Sequence, residues 1–171
     1  MTNIQHAIIE DFGNGYASFG NSDLMGRVVG LFICASGPLN GDQIAEYLNV
    51  SKSPVNQICN RLEELKLIRK VWVKGERKYH YQAVDDIFLQ ASLNLSRLTE
   101  GNLRMAEKNL QSVVAEFKNA TDAEKAELRI ICGRLIEMRE FNRRLIDSYQ
   151  QFIDSWRSMR SNFPSVDEIL G

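Results

Sequence analysis

The sequence predicts a mainly α-helical protein with a small β hairpin, and three patterns carry that prediction. Between Ser51 and Leu65, apolar residues recur every three or four positions, as on a helix buried along one side. Apolar and polar residues then alternate on both sides of a short basic turn, 74–77, as they do in paired strands. From residue 128 to 159 the apolar residues return to alternating steps of three and four, which indicates one long helix.

Length and composition favour a folded protein. With 171 residues, 44% of them hydrophobic, the chain can bury the core of one domain, or of one small domain plus an extension. The longest apolar run, Val28 to Ala35, is far shorter than the roughly 18 to 20 residues that a spanning helix needs. The N-terminus has no basic region followed by an apolar one. We therefore expect a soluble cytoplasmic protein without a membrane partner.

Cysteine and histidine usage argues against a disulfide framework and against a metal site. The three cysteines, Cys34, Cys59 and Cys132, are an odd number without C-x-x-C spacing, and His6 and His80 lie far apart. We expect no metal and no cofactor. The favoured interpretation of the cysteines is that they are small buried apolar residues, and a redox-sensing thiol is the alternative.

Charge is distributed unevenly along a chain whose net charge is only −1. That value argues against a protein that coats nucleic acid through bulk positive charge. Residues 51–81, however, hold eight basic and three acidic side chains, a net charge of +5, so the rest of the chain carries −6. One basic segment therefore stands out on an otherwise acidic protein.

The first elements are predicted to be helices. Residues 1–21 are expected to form an N-terminal helical segment that belongs to a dimer region. The next helix begins after Ser22, a residue type that caps helix N-termini, and runs to Cys34. The sequence Ser36-Gly37-Pro38 ends it.

A short helix and its successor are joined by a tight turn. Asn40 can form a capping box with Gln43, and Asn49 can adopt the left-handed conformation that ends the short helix. The following helix starts after Ser51 or after Ser53, since Pro54 would suit a first helical position. Both starts stay open at this point.

A hairpin with a basic tip follows these helices. Residues 68–73 and 78–83 alternate as strands do, and Gly75 lies in the turn 74–77 between them. The segment 22–84 is thus predicted to contain a helix, a turn, a second helix and then the hairpin.

Two long helices are predicted to fill the remainder, residues 85–171. Apolar residues at helical spacing occupy 95–117 and 128–159, and Thr121 or Asp122 can cap the second helix. The second stripe is wide enough to pack both on its own chain and on another copy of the protein, so we predict a helical hairpin that forms a homodimer. The predicted dimer interface consists of Leu128, Leu135, Asn142, Leu145, Phe152 and Trp156.

Asn142 is the one amide in this stripe, and two interpretations of it stay open. A buried asparagine can pair with its counterpart in the second copy and fix the register, at some cost in stability. Alternatively, Asn142 lies at the edge of the stripe beside Arg143 and Arg144.

The polar face of the helix in 51–65 is the strongest functional signal. Most of its side chains carry hydrogen-bond donors and none is an acid. A helix presented by a tight turn fits the major groove of B-DNA, which is about 12 Å wide, where Asn and Gln can pair with adenine and Arg with guanine. Residues at the helix start would hold phosphates, and an arginine at the hairpin tip can enter the minor groove. The predicted DNA contacts are Ser51, Lys52, Ser53, Asn56, Gln57, Asn60, Arg61, Lys74 and Arg77.

These residues also carry a family resemblance. From Gly41 onward the chain resembles the helix-turn-helix pattern, with small Ala45 at the fifth place and Asn49 in the turn at the ninth. Over roughly residues 20–84 it resembles the winged helix-turn-helix of the MarR superfamily. It is most similar to the GbsR-like branch, in which Ser-Lys opens the recognition helix and a V-K-G-x-R turn forms the wing. Lys66 stands where branch members usually have glycine, which predicts a left-handed residue without glycine.

The resemblance implies both an architecture and a function. It implies a mainly α fold with a small β wing, that is, a winged helix-turn-helix domain followed by long C-terminal dimerisation helices. It also implies a homodimeric transcriptional regulator that binds double-stranded DNA. In its simplest form this is a repressor on a pseudo-palindromic operator, with or without a small-molecule effector.

Alternatives from other classes stay open. A winged helix can serve as a protein-binding module, and oxidation of Cys59 could make the protein a thiol-switched regulator. Tyr149, Phe152 and Trp156 could form an aromatic cage for a cation, although their spacing favours packing. We do not expect an enzyme, since the sequence has no Gly-rich phosphate loop, no H-E-x-x-H and no nucleophile elbow.

Overall fold

The computed structural model describes residues 1–171 and consists mostly of helices with one small antiparallel sheet. Its elements are α1 (Asn3–Ser18), α2 (Asp23–Cys34), β1 (Leu39–Asn40), α3 (Gly41–Leu48), α4 (Lys52–Glu64), β2 (Ile68–Val71), β3 (His80–Ala83), α5 (Ile87–Phe117), α6 (Asp122–Met159), a 3-10 turn (Arg160–Asn162) and α7 (Val166–Leu170). Contacts divide the chain into two compact units, Met1–Gln90 and Ala91–Gly171. None of the helices has the combination of length and hydrophobicity that crossing a bilayer requires. The predicted mainly α fold with a small hairpin is confirmed.

Helices α1 and α2 approach closely because glycines line their contact. A Cβ atom on Gly26 would lie 2.2 Å from the carbonyl oxygen of Phe12, and one on Gly30 would lie 3.0 Å from the Cα of Ile9. Ile9 is only 1% exposed. Residues 1–21 therefore pack into the first unit together with α2, and not as a segment apart from it. Their part in a dimer region stays a prediction.

One apolar core joins α2, α3, α4 and the sheet. Its fully or almost fully buried side chains include Val28, Ile44, Leu48, Val55, Leu62 and Ile68. The apolar stripe predicted for the helix within 51–65 thus packs against the helix before it, as the helix-turn-helix pattern requires. Burial of a side chain of this size stabilises a fold by about 1.5 to 3 kcal/mol.

Most predicted helix starts are capped by the predicted side chains. Ser22 accepts a hydrogen bond from the backbone of α2, and Asn40 forms a capping box with Gln43 at the start of α3. Thr121 forms a third capping interaction, with Glu124, and α6 follows directly. Caps of this kind stabilise a helix by about 1 kcal/mol each, so these boundaries are well determined.

Helix α4 starts after Ser51, which was one of the two predicted starts. The helix begins at Lys52, so Ser51 occupies the cap position and the predicted start after Ser53 is wrong. Pro54 is tolerated because a residue in the first helical turn has no intrahelical partner for its backbone nitrogen. The hydroxyl of Ser51 makes no capping hydrogen bond, so α4 lacks the side-chain cap that the other helices have.

The sheet contains one strand more than predicted and has shorter ladders. Its order is β1-β3-β2, with both pairs antiparallel. The register pairs Val71 with His80, so the ladder stops before Trp72, whereas the sequence predicted strands over 68–73 and 78–83. β1 has only two residues, too few for an alternating pattern to show. It pairs Asn40 with His80 and so ties the start of α3 to the hairpin.

Two residues other than glycine have left-handed backbone. Asn49 has φ 52° where α3 ends, and Lys66 has φ 55° just after α4. Both were predicted. The backbone N–H of Lys66 donates to the carbonyl of Glu63 at 2.8 Å, which closes the end of α4. For a residue with a Cβ atom, this conformation costs about 1 kcal/mol of conformational free energy.

The second unit is built on two long helices, as predicted. Ala106 of α5 and Leu128 and Ile153 of α6 are buried. Arg143 of α6 forms an ion pair with Glu107 of α5, with 3.0 Å between guanidinium nitrogen and carboxylate oxygen. The two helices therefore lie side by side within this unit.

Asn142 is buried within the single chain, and its pairing with a second copy stays a prediction. It is 5% exposed, so it does not lie at an open edge of the stripe. Its Nδ2 donates to the carbonyl oxygen of Met138 at 2.7 Å, one turn earlier in the same helix. That hydrogen bond uses one of the two N–H donors of the amide and leaves the second donor and the side-chain oxygen for another partner.

Replacing Lys66 by glycine should stabilise the chain by about 1 kcal/mol, because glycine adopts a positive φ without steric cost. Urea unfolding followed by circular dichroism measures the change. Lys66→Ala is the matched control, since it removes the same charge and keeps the Cβ atom. An equal gain in both variants would show that the lysine charge, and not the backbone, limits stability.

Candidate nucleic-acid interface

Helix α4 buries one face and exposes the opposite one. Val55, Cys59 and Leu62 have 0% exposure and follow one another at steps of four and three. Ser53, Gln57 and Asn60 repeat the same steps two residues out of phase, which places them on the far side of the helix. We call Ser53, Gln57 and Asn60 the outer face of α4. Burial of the apolar stripe therefore fixes which side chains α4 presents.

Seven of the nine predicted contact residues have side chains that interact with no other residue of the chain. Their side chains are exposed and make no hydrogen bond or ion pair with other residues. They are Ser51, Ser53, Asn56, Gln57, Asn60, Lys74 and Arg77. Their donors and acceptors are therefore available to an external partner.

Asn56 lies at the flank of α4 that faces α3. A Cβ atom on Gly41 would be only 2.9 Å from the side-chain oxygen of Asn56. The glycine at the start of α3 thus leaves room for this amide beside the outer face.

The two remaining predicted residues are held by acids. Lys52 forms an ion pair with Asp42 of α3, with 2.5 Å from its Nζ to Oδ1. Arg61 forms one with Glu64 at 2.9 Å. Both cations were predicted to contact DNA, and neither ion pair was predicted.

Asp42 binds a second lysine as well. Its other carboxylate oxygen accepts a hydrogen bond from Nζ of Lys78, which lies just before β3. The hydrogen bonds from Lys52 and Lys78 lower the pKa of Asp42 from 3.8 to about 2. Neither Asp42 nor Lys78 was predicted, because the partners are ten and 36 residues away in sequence and no local pattern links them.

The hairpin presents a basic tip beyond its ladder. Gly75 has φ +90°, which lets the turn close, and Lys74 and Arg77 flank it with exposed side chains. Trp72 and Tyr79 stack across the hairpin at 5.0 Å between ring centroids, below the tip and above the last ladder pair. This stack extends the contact between the two arms where backbone pairing has ended.

The base of the hairpin is tied to α4 and α3. Lys70 of β2 lies 2.6 Å from Glu63 near the end of α4, and this hydrogen bond raises the lysine pKa. His80, which is 5% exposed, places Nδ1 at 3.1 Å from the carbonyl of Lys78 and Nε2 at 3.5 Å from the Asn40 amide. These contacts give His80 a structural role within the hairpin.

The thiol-switch alternative does not fit Cys59. Its side chain has 0% exposure, and burial raises its pKa to about 12. The thiolate is the reactive form of cysteine, and here it is both disfavoured and covered. Cys34 and Cys132 are partly exposed but lie outside α4.

The residues predicted for a dimer interface differ in exposure. Leu128 and Asn142 are buried within the single chain, whereas Phe152 is 48% exposed. The other three, Leu135, Leu145 and Trp156, are partly exposed. Leu128 and Asn142 are thus already packed within the chain and leave little surface for a second copy.

The aromatic residues of α6 pack on one another. Trp156 lies 6.1 Å from Phe152 and 5.1 Å from Phe163 between ring centroids. This arrangement favours packing over an aromatic cage. No cluster of three or more His, Cys, Asp or Glu side chains is placed to hold a metal ion.

Comparison with known proteins identifies regulators as relatives of this chain. No family model matches it. It is 27% identical over 88 residues to the HTH-type transcriptional repressor OpcR of Bacillus subtilis, which covers 50% of this chain and 48% of that protein. It is 26% identical over 80 residues to the putative HTH-type transcriptional regulator YvaV of the same organism, which covers 47% and 45%. The chain spans about half the length of the curated relatives it matches.

A solved structure shares the fold over almost the whole chain. The crystal structure of a transcriptional regulator aligns with a TM-score of 0.74, covering 90% of this chain and 98% of the other, at 17% identity. The predicted fold class, a winged helix-turn-helix domain with long C-terminal helices, is thereby confirmed.

The Asp42 carboxyl should titrate near pH 2, well below the ordinary value of 3.8, because two ammonium groups stabilise its charged form. Since the pKa is lower in the folded state, the two pairs contribute stability above pH 3.8 that is lost as the pH falls through about 2. Carbon-detected NMR titration measures this pKa. In Lys78→Ala it should move back towards 3.8, and an unchanged value would show that Lys78 does not hold the carboxylate.

Cys59 should resist modification in the native protein, because its thiol is buried and its pKa is about 12. Reaction with an aromatic disulfide reagent, followed by peptide mass spectrometry, should label Cys34 and Cys132 first and Cys59 only after unfolding. Labelling of native Cys59 at the rate of Cys132 would restore the thiol-switch hypothesis.

Proposed function

We propose that this protein is a homodimeric transcriptional regulator of the GbsR-like branch of the MarR superfamily, acting in the cytoplasm as a repressor. Two copies would bind a pseudo-palindromic operator on double-stranded DNA and block access of the polymerase. Similarity to HTH-type regulators supports this proposal, as does the winged helix-turn-helix fold. The activity is not expected to be enzymatic.

One observation carries the proposal. Helix α4 is anchored by a fully buried apolar stripe, and its outer face, Ser53, Gln57 and Asn60, consists of exposed polar side chains without partners in the chain. Amide side chains can read adenine edges in the major groove. The exposed cations Lys74 and Arg77 lie on the hairpin of the same unit and suit phosphates or a narrow minor groove.

Operator geometry follows from the proposed dimer. Two α4 helices related by a dyad would enter successive major grooves about 34 Å apart. An effector would act by changing that separation, because small displacements misplace both helices at once. The partly exposed residues of α6, among them Leu145 and Phe152, are the proposed dimer surface.

A protein-binding module is the second candidate, and one observation favours it. Trp72 and Tyr79 are 67% and 60% exposed, an aromatic pair of a kind that often anchors protein interfaces. The two functions differ in what they require of the outer face of α4. A protein-binding hairpin would leave Gln57 without a role, while a DNA reader would depend on it.

Gln57→Ala should weaken binding to the DNA upstream of the protein's own gene by about 1 to 3 kcal/mol and should do so at particular bases. Arg77→Ala should weaken binding to all duplexes and reduce the salt slope by about 1. Fluorescence anisotropy on the upstream duplex and on a scrambled duplex, at several salt concentrations, measures both effects.

Gln111→Ala and Arg134→Ala are matched controls, since both residues are exposed and lie in the second unit. They should bind DNA like the parent. If the parent preferred the upstream duplex but Gln57→Ala and Arg77→Ala bound it with parental affinity, the assigned interface would be wrong. Weak, equal binding of the parent to both duplexes would instead favour the protein-binding module.

A further inference from the structure

Asp42 joins three elements of the proposed DNA interface. It lies in the first turn of α3, and its carboxylate binds Lys52 at the start of α4 and Lys78, which precedes β3 next to the hairpin tip. Both lysines are about half exposed, with side-chain accessibilities of 52% and 58%. One acid thus holds two of the cations that would otherwise be available to phosphates.

The position of Asp42 is fixed by its backbone. Its N–H donates to the side-chain oxygen of Asn40 at 3.0 Å, inside the capping box that starts α3. Asn40 in turn pairs with His80 across the sheet. A negative charge at this end of a helix is also favoured by the helix dipole. The backbone that carries the carboxylate is therefore held by the capping box and, through Asn40, by the sheet.

The ion pairs have an electrostatic consequence for any DNA complex. Non-specific binding depends on cations that neutralise phosphates and release counterions, with a salt slope of about 0.9 per phosphate contact. A lysine paired with Asp42 must first break that pair before it can contribute. Specific binding depends additionally on base contacts from the outer face of α4, which the pairs leave untouched.

We propose that Asp42 is a positioning residue that determines specificity: it keeps Lys52 and Lys78 from the phosphates of non-cognate DNA while holding α4 and the hairpin at a fixed spacing. This inference rests on the proposed function. In the cognate complex the two pairs stay closed and preserve the spacing of α4 and the hairpin. On other sequences the same pairs limit the charge that the protein can offer.

Asp42→Asn is the direct test, because asparagine keeps the shape and the helix start but releases both lysines. Binding to the scrambled duplex should become stronger, and its salt slope should steepen by up to about 1.8 per protomer, since two lysines are freed. Affinity for the upstream duplex should gain less, so the preference for that duplex should fall several-fold.

Glu46→Gln is the matched control. Glu46 lies one turn further along α3, is exposed, and its side chain has no partner within the chain, so the variant makes the same change in net charge without releasing a lysine. Its salt slope should stay at the parental value. Adding Lys52→Met and Lys78→Met to Asp42→Asn should return the slope to that of the parent. Circular dichroism melts of each variant show whether the fold is retained.

The outcomes separate this inference from the proposed function. A parent that binds neither duplex in a salt-dependent manner overturns the function and the inference together. A parent that binds, with an Asp42→Asn slope equal to its own, overturns the inference alone. Equal steepening in Asp42→Asn and Glu46→Gln would also overturn it, because net charge would then explain the change. A slope that steepens only in Asp42→Asn and is reversed by the added lysine substitutions supports it.

Discussion

The orientation of α4 is the constraint on which the proposed interface depends. Val55, Cys59 and Leu62 are completely buried, and each contributes roughly the transfer free energy of a core side chain. Rotating α4 about its axis would expose this stripe and bury amides without partners, and both changes are unfavourable. The polar face therefore needs no contacts of its own to be held in place. Its side chains can stay without partners in the chain because the buried stripe on the opposite side holds the helix in place.

The ion pairs around α4 contribute less to the stability of the fold than the core does. Pairs between exposed side chains contribute about 0 to 1 kcal/mol each, too little to determine the fold. What they can do is decide where a charge lies. Lys52 and Lys78 are drawn to Asp42, and Lys70 is drawn to Glu63. The basic segment of the sequence is thus less basic on its surface than its composition suggests, and the unpaired cations Lys74 and Arg77 remain at the tip of the hairpin.

How far the sequence could predict this protein depended on the range of each interaction. Caps and left-handed turns depend on neighbouring residues, and Asn40 and Asn49 were predicted correctly from their residue types. Lys66 was predicted from the glycine that similar sequences usually have at its place. Strand β1 and the pairs of Asp42 depend on residues far apart in sequence, which periodicity does not show. The two-residue length of β1 removed even a local signal.

Prediction of the candidate site was limited in the same way. Exposure followed from the helical period for the seven residues of α4 and its cap and from the turn for Lys74 and Arg77, and all nine predicted contacts lie on the surface. The pairing of Lys52 could not be read from its own helix, because the acid lies in α3. The pairing of Arg61 could have been, because Glu64 lies three residues further along the same helix. Lys52 and Arg61 were placed at DNA because they are basic residues on the polar face of the predicted helix. The apolar stripe indicates that one side of α4 is buried. How completely Cys59 is buried depends on how the neighbouring elements pack against α4, which the stripe does not show.

The second unit carries exposed apolar side chains that the proposed second copy would cover. Phe141, Phe152 and Met159 are 66%, 48% and 50% exposed, and their spacing of eleven and seven residues places them along one line of α6. Leu128 and Ile153 are buried, so the line is distinct from the face that packs within the chain. Exposed apolar side chains in a row mark an interaction surface, and a surface that meets its own copy across a twofold axis needs only one such row. In the proposed dimer this line, and not the already buried Leu128 and Asn142, would bring the two chains together.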